Sequence, residues 1–215
     1  MMNSVVLIFL LTVCAYLLGS IPSAVWIGKV FYGKDVRKFG SGNAGATNTF
    51  RTLGAKAGIP VLFIDSVKGI VAVQLAYFAE NVFIDSQLIT FKIVLGVMAL
   101  VGHIFPILAS FRGGKGVATL LGVVLVIHFQ AALLSAIVFL LILFSTKYVS
   151  LSSMIAAVFF PFSLIFLFSN IPTSLVVFAF LMACVVVITH RKNIIELIRK
   201  EESKVNFKLN FDKIK

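Results

Sequence analysis

The sequence predicts an all-α integral membrane protein with about seven transmembrane helices, its N-terminus outside and its C-terminus cytoplasmic. Three observations predict it. The 215-residue chain is 60% hydrophobic. Uncharged apolar stretches long enough to cross a bilayer, about 17–25 residues each, follow one another along it. The basic residues collect in a few segments between and after those stretches.

The apolar stretches fall at roughly 4–27, 57–79, 89–109, 117–145, 151–169 and 173–189. Only loops and a short tail remain, so one polytopic membrane domain over 1–190 and a basic cytoplasmic tail over 191–215 are expected. The first stretch lacks a basic leader, and charged sequence follows it where a secretory signal would have a small-residue cleavage site. It therefore reads as a span. Within the second stretch Asp65 and Lys68 stand at i,i+3, a spacing that allows a salt bridge. Ionisable residues inside a span are candidates for function, and a structural pair fixing the helix against its neighbours serves equally well. Cys14 and Cys184 both lie inside apolar stretches, which argues for packing residues and against a disulfide framework.

The stretch 117–145 is too long for one helix. Its 29 residues would span about 43 Å at 1.5 Å each, against roughly 30 Å of hydrocarbon. His128 and Gln130 sit near its middle, where polar groups are costly in lipid. A break there gives two short helices and seven spans.

Charge placement supports that count. The loop 29–56, the loop around Arg112 and Lys115, the turn at Lys147 and the tail after His190 together hold 17 of the 19 Lys and Arg residues. The positive-inside rule places all four segments in the cytoplasm, which seven spans satisfy and six do not. The remaining tail, with Glu196, Glu201 and Glu202 among lysines, is expected to be a solvated helix followed by a disordered end. These charges flank spans as topology signals, and no aromatic stacking platform accompanies them, so nucleic acid is not an expected partner.

Two cytoplasmic segments carry more chemistry than a connection needs. Gly40-Ser41-Gly42-Asn43-Ala44-Gly45-Ala46-Thr47-Asn48-Thr49-Phe50-Arg51 combines glycines that let backbone N–H groups approach a ligand, side-chain donors at Ser41, Asn43, Thr47 and Asn48, and a closing guanidinium. A phosphate asks for this set. A polar turn between helices also uses Gly and Asn, but twelve residues of this donor density exceed a turn's needs. The second segment places His103 at the end of a span and then Gly113-Gly114-Lys115-Gly116. It is not a Walker A loop, because no glycine stands five residues before Gly114 and no Ser or Thr follows Lys115. His103 alone reads as an interfacial histidine with a backbone partner, and beside the lysine loop it reads as functional. A third segment, His190-Arg191-Lys192-Asn193, puts His190 and Asn193 on one helix face, and it also suits a basic membrane anchor. No His/Asp/Glu cluster has metal-ligand spacing, so neither metal nor cofactor is expected.

Together these segments closely resemble the bacterial PlsY family, the acyl-phosphate:glycerol-3-phosphate acyltransferases. The matching runs are Gly19-Ser20-Ile21-Pro22-Ser23, Asp35 to Arg51, Asp65-Ser66-Val67-Lys68-Gly69, Gly102-His103 to Gly116, Lys147-Tyr148-Val149-Ser150-Leu151, and His190 to Glu202. They cover nearly the whole chain in order. Two positions depart from the family pattern, which usually has a basic residue where Glu196 stands and a glycine where Lys200 stands. A charge inversion at Glu196 would weaken binding of an anionic substrate.

The resemblance implies phospholipid biosynthesis in the bacterial cell (inner) membrane, with acyl transfer from acyl phosphate to the 1-hydroxyl of glycerol 3-phosphate and a site facing the cytoplasm. It implies Ser41 and Arg51 as the catalytic pair, with Ser41 positioning by hydrogen bonds and not acting as nucleophile. Carried over as substrate-binding are Gly40, Gly42, Asn43, Gly45, Asn48, His103, Gly113, Gly114, Lys115, Gly116, His190 and Asn193. The family picture draws the base from the substrate's own phosphate, so no Ser-His-Asp arrangement is needed. The implied partners are glycerol 3-phosphate, acyl phosphate, the lipid bilayer and the peripheral enzyme that makes acyl phosphate. Two rivals are weaker. Acyltransferases that use acyl-CoA or acyl-carrier protein show an Asp four residues after a His, which none of the three histidines here has. A transporter would gather polar residues at mid-membrane within inverted repeats.

Overall fold

The structure, a computed structural model, describes residues 3–205, and every regular element among them is helical. The expected disordered end of the tail, at 206–215, lies outside the described residues. Two compact units divide at 127/128.

The first unit contains α1 (Ser4–Gly19), α2 (Ser23–Tyr32), α3 (Ala46–Leu53), α4 (Ala55–Gln74), α5 (Asp85–Ile104) and α6 (Val117–Ile127). α4 continues as a 3₁₀ stretch, Leu75–Val82. α1 packs on α4 and α5, and α6 packs on α4. Lipid tails are as apolar as the side chains, so helices here gain by close backbone approach at small residues. A Cβ on Gly102 would overlap the Tyr16 carbonyl, and one on Gly19 the Ala99 carbonyl, so both faces of the α1–α5 crossing need glycine. The α4–α6 crossing repeats the device, with Gly69 against the Thr119 backbone and Gly122 against Ser66.

The second unit contains α7 (Phe129–Thr146), α8 (Val149–Leu167), α9 (Thr173–Thr189) and α10 (Arg191–Ile198), with α8 packed on both α7 and α9. In each unit large apolar side chains such as Phe9, Phe63, Phe144 and Phe166 are exposed, an outer surface suited to lipid.

Ala55–Val82, Gln87–Ala109, Phe129–Thr146 and Val149–Leu167 are long and apolar enough to cross a membrane. Two bent pairs, α1 with α2 at 43° and α9 with α10 at 59°, raise the number to six if each pair is one span. α6 is a shorter apolar helix of 11 residues.

Two details differ from expectation. The stretch 4–27 is two helices, because Pro22 has no N–H to donate and its ring disfavours the helical conformation at Ile21. The break inside 117–145 falls at His128 as expected, and the His128 Nδ1 accepts the Ala131 N–H at 3.3 Å to start α7. The halves are unequal, however. α7 runs 18 residues to Thr146, so only α6 is short.

Candidate functional site

The first glycine-rich segment is built around two side chains. Asp35 caps a short 3₁₀ turn over Val36–Lys38, accepting the Arg37 N–H at 3.1 Å. Its carboxylate also takes a fork from the Arg37 guanidinium, Nε to Oδ1 at 3.0 Å and Nη2 to Oδ2 at 2.8 Å. The Arg37 hydrogen bond is the main reason the Asp35 carboxyl titrates at about 2, below the ordinary 3.8. The same bond raises the Arg37 pKa. The third guanidinium nitrogen, Nη1, donates to the Ala109 carbonyl at 2.9 Å and ties this loop to the second segment.

Asn48, on the buried face of α3, organises the loop on its N-terminal side. Its Oδ1 accepts the Ser41 N–H at 2.9 Å, and its Nδ2 donates to the carbonyls of Val36, Phe39 and Asn43 at 2.9, 3.1 and 3.0 Å. Four loop positions are gathered by one amide. Gly40 has φ +57°, and a Cβ there would overlap the Asn48 Oδ1, so this approach needs glycine. The result leaves Ser41 exposed at the loop surface and puts Arg51, also exposed, in the last turn of α3.

The second segment lies against buried polar groups. His103, in the last turn of α5, is buried, and its Nδ1 lies 3.1 Å from the Thr119 Oγ1. Its Nε2 sits against Gly114, where a Cβ would overlap it, and the Gly114 N–H donates to the His103 carbonyl at 3.2 Å. Behind it, the Asp65 Oδ1 accepts the Ser23 hydroxyl at 2.7 Å and pairs with the Lys68 Nζ at 2.9 Å. Lys68 donates onward to the Ile21 carbonyl at 3.0 Å, in the break between α1 and α2. Ala44, Asp65, His103, Gly113 and Gly114 line one cavity. The first and second segments therefore meet within the first unit, with Lys115 half-buried beside that cavity's glycine lining.

The third pair is built within the second unit. His190 links α9 and α10, with its Nδ1 2.7 Å from the Val186 carbonyl. The Asn193 Nδ2 donates to the Glu202 Oε2 at 2.6 Å, and both side chains are buried. The chain after α10 turns back: Lys200 adopts φ +60°, the Val205 N–H donates to the Lys147 carbonyl at 2.8 Å, and the Lys204 Nζ lies 5.3 Å from the centre of the Tyr148 ring. The expectation of a solvated tail thus fails at Glu202, which the Asn193 amide draws inward. Lys200 occupies the left-handed conformation that glycine adopts without strain, which accounts physically for the glycine usual in the family.

Sequence reasoning missed Ser23, Thr119 and Glu202. Two are lone hydroxyls in or beside apolar sequence, and the third is one acid among lysines. The two hydroxyls had one signal, polarity where lipid disfavours it, and Glu202 had none.

The family profile described as Glycerol-3-phosphate acyltransferase matches residues 9–200. A glycerol-3-phosphate acyltransferase of Enterococcus faecalis is 43% identical over 215 residues, covering 97% of this chain and 96% of the relative. One from Listeria welshimeri is 48% identical over 206 residues, covering 93% and 98%. A crystal structure of PlsY, an integral membrane glycerol 3-phosphate acyltransferase, in its glycerol 3-phosphate form superposes with a TM-score of 0.83 at 36% identity, covering 93% of this chain and 96% of that one. The lysophosphatidic acid form gives 0.79 at 34% identity, covering 93% and 95%. Profile, relatives and fold agree over nearly the whole length, and the chain belongs to the glycerol-3-phosphate acyltransferase family.

Proposed function

We propose that this chain transfers an acyl group from an acyl phosphate to the 1-hydroxyl of glycerol 3-phosphate, releasing 1-acyl-glycerol 3-phosphate and inorganic phosphate. The hydroxyl oxygen bonds to the acyl carbon, the bond from that carbon to the phosphate oxygen breaks, and the hydroxyl proton leaves on phosphate. The donor is already activated, so holding two anions in line and neutralising their charge supplies most of the rate. The observation that carries this reading is the contact between the two glycine-rich segments, made by the Arg37 bond to Ala109 and by Gly114 packed against His103 and the Ala44 carbonyl.

In this reading Ser41 and Arg51 orient the reacting groups, and the Gly113–Gly116 backbone with Lys115 takes the phosphate of glycerol 3-phosphate. Gly40, Gly42, Asn43, Gly45 and Asn48 shape the first loop around the acyl phosphate. His190 and Asn193 enter as substrate-binding residues on the family resemblance. The chain crosses a bacterial inner membrane seven times, counting the four long helices, the two bent pairs and α6, with the N-terminus outside. The basic cytoplasmic segments also offer a face for a peripheral enzyme that supplies the acyl phosphate.

The test uses purified protein in bilayers with labelled glycerol 3-phosphate. Acylation from acyl phosphate and none from acyl-CoA is the expected outcome. Acylation from acyl-CoA alone, or uptake into sealed vesicles without acylation, would reject the reading.

A further inference from the structure

The buried polar cluster beneath the second glycine segment has no part in the reaction as written. Ionised side chains at this depth are costly unless paired and hydrogen-bonded. Asp65 is 1% exposed and Thr119 0%. The cluster joins four elements: Ser23 starts α2, Asp65 and Lys68 lie on α4, His103 on α5 and Thr119 on α6. Charges needed only to neutralise each other would be satisfied by the Asp65–Lys68 contact within α4, and a weld of α4 to the α1–α2 break by the bonds of Ser23 to Asp65 and of Lys68 to Ile21. The cluster extends further, towards the loop. The Asp65 Oδ1 lies 3.7 Å from the His103 Nδ1, the Thr119 hydroxyl lies 3.1 Å from the same nitrogen, and the opposite edge of the ring abuts Gly114. The imidazole is thus held from behind by the Thr119 hydroxyl, with the Asp65 carboxylate 3.7 Å from the same nitrogen, and carries the glycine next to Lys115 on its front. The second carboxylate oxygen, Oδ2, has no hydrogen-bond partner among the described residues, and Asp65 lines the cavity that Gly113 and Gly114 also line.

We propose that Asp65 and Thr119 are positioning residues for the anion site: they fix His103 as a strut under Gly114, so that the Gly113–Gly116 backbone and Lys115 are preset for a phosphate. This rests on the reading that the segment takes the phosphate of glycerol 3-phosphate. A looser strut costs binding of that substrate and leaves the acyl donor untouched. A purely structural cluster would lower the yield and melting temperature of the protein without moving either KM.

The experiment measures both KM values, kcat and thermal unfolding for Thr119→Val, Thr119→Ser and Asp65→Asn, with Lys115→Ala as control. Thr119→Val keeps the volume and deletes the hydroxyl. We expect it to raise the KM for glycerol 3-phosphate about fivefold to tenfold, the scale of one lost hydrogen bond. kcat and the KM for acyl phosphate stay within about twofold, inside the spread of a neutral change. Thr119→Ser restores the wild-type KM, and Asp65→Asn shifts the same KM at least as far as Thr119→Val. Should Thr119→Val or Asp65→Asn fail to fold, Ser23→Ala, which removes one bond to Asp65, must raise that KM. An unchanged KM in the folded variants, while Lys115→Ala raises it, overturns the strut and leaves the site reading standing. An unchanged KM in Lys115→Ala removes the site reading and the strut with it.

Discussion

Asn48 shows how a residue can be found in sequence and its use remain invisible. Donor density marked it as part of an anion loop, but nothing in a sequence says which acceptors an amide will meet. The structure commits its Nδ2 to three loop carbonyls and its Oδ1 to the Ser41 N–H. Asn48→Ala should therefore lower kcat/KM about 100-fold through misplacement of Ser41, with folded protein still recovered, and steady-state kinetics would register it. Asp35 and Arg37 give a pH prediction. A carboxylate held at about 2 adds stability that is fully present above the unfolded value near 3.8 and is lost as pH falls through 2. The difference in melting temperature between wild type and Asp35→Asn should be constant from neutral pH to about 4 and shrink towards pH 2. At Lys200, φ +60° predicts that Lys200→Gly stabilises the protein by up to about 1 kcal/mol, readable by thermal unfolding.

Among the elements, legibility followed the strength of the polar signal. His128 and Gln130 interrupt an apolar run, and the helix breaks there. Ser20-Ile21-Pro22 interrupts another, but small and apolar residues on both sides let the stretch read as one span. The helix crossings were not legible at all, because a glycine in an apolar run does not announce its neighbour. Gly102 faces the Tyr16 carbonyl and Gly122 the Ser66 carbonyl. Gly102→Val or Gly122→Val should cost about 1–3 kcal/mol by forcing packed helices apart. Thermal unfolding of the purified variants would measure it, and a wild-type transition would contradict the packing account.

For the molecule as a whole, the run of span-length apolar stretches disclosed the all-helical membrane architecture, because lipid leaves few ways to satisfy a backbone. Charge parity carried the topology expectation, which single-cysteine labelling can check in a chain with Cys14 and Cys184 replaced. Cysteines at Lys34 and Arg112 should react from the cytoplasmic side, and one at Glu80 from the outside. The folding-back of residues 199–205 was hidden, since an acid among lysines reads as solvated until Asn193 is seen to hold Glu202.

The central claim is that two glycine-and-cation segments each hold one phosphate. Its most direct measurement is the rate of labelled glycerol 3-phosphate acylation from acyl phosphate by purified Arg51→Ala and Lys115→Ala, each confirmed as folded. Loss of kcat/KM by at least about 100-fold in both, the scale of a removed charge-assisted contact at a reacting centre, is the expected result. Both variants turning over at the wild-type rate would contradict it.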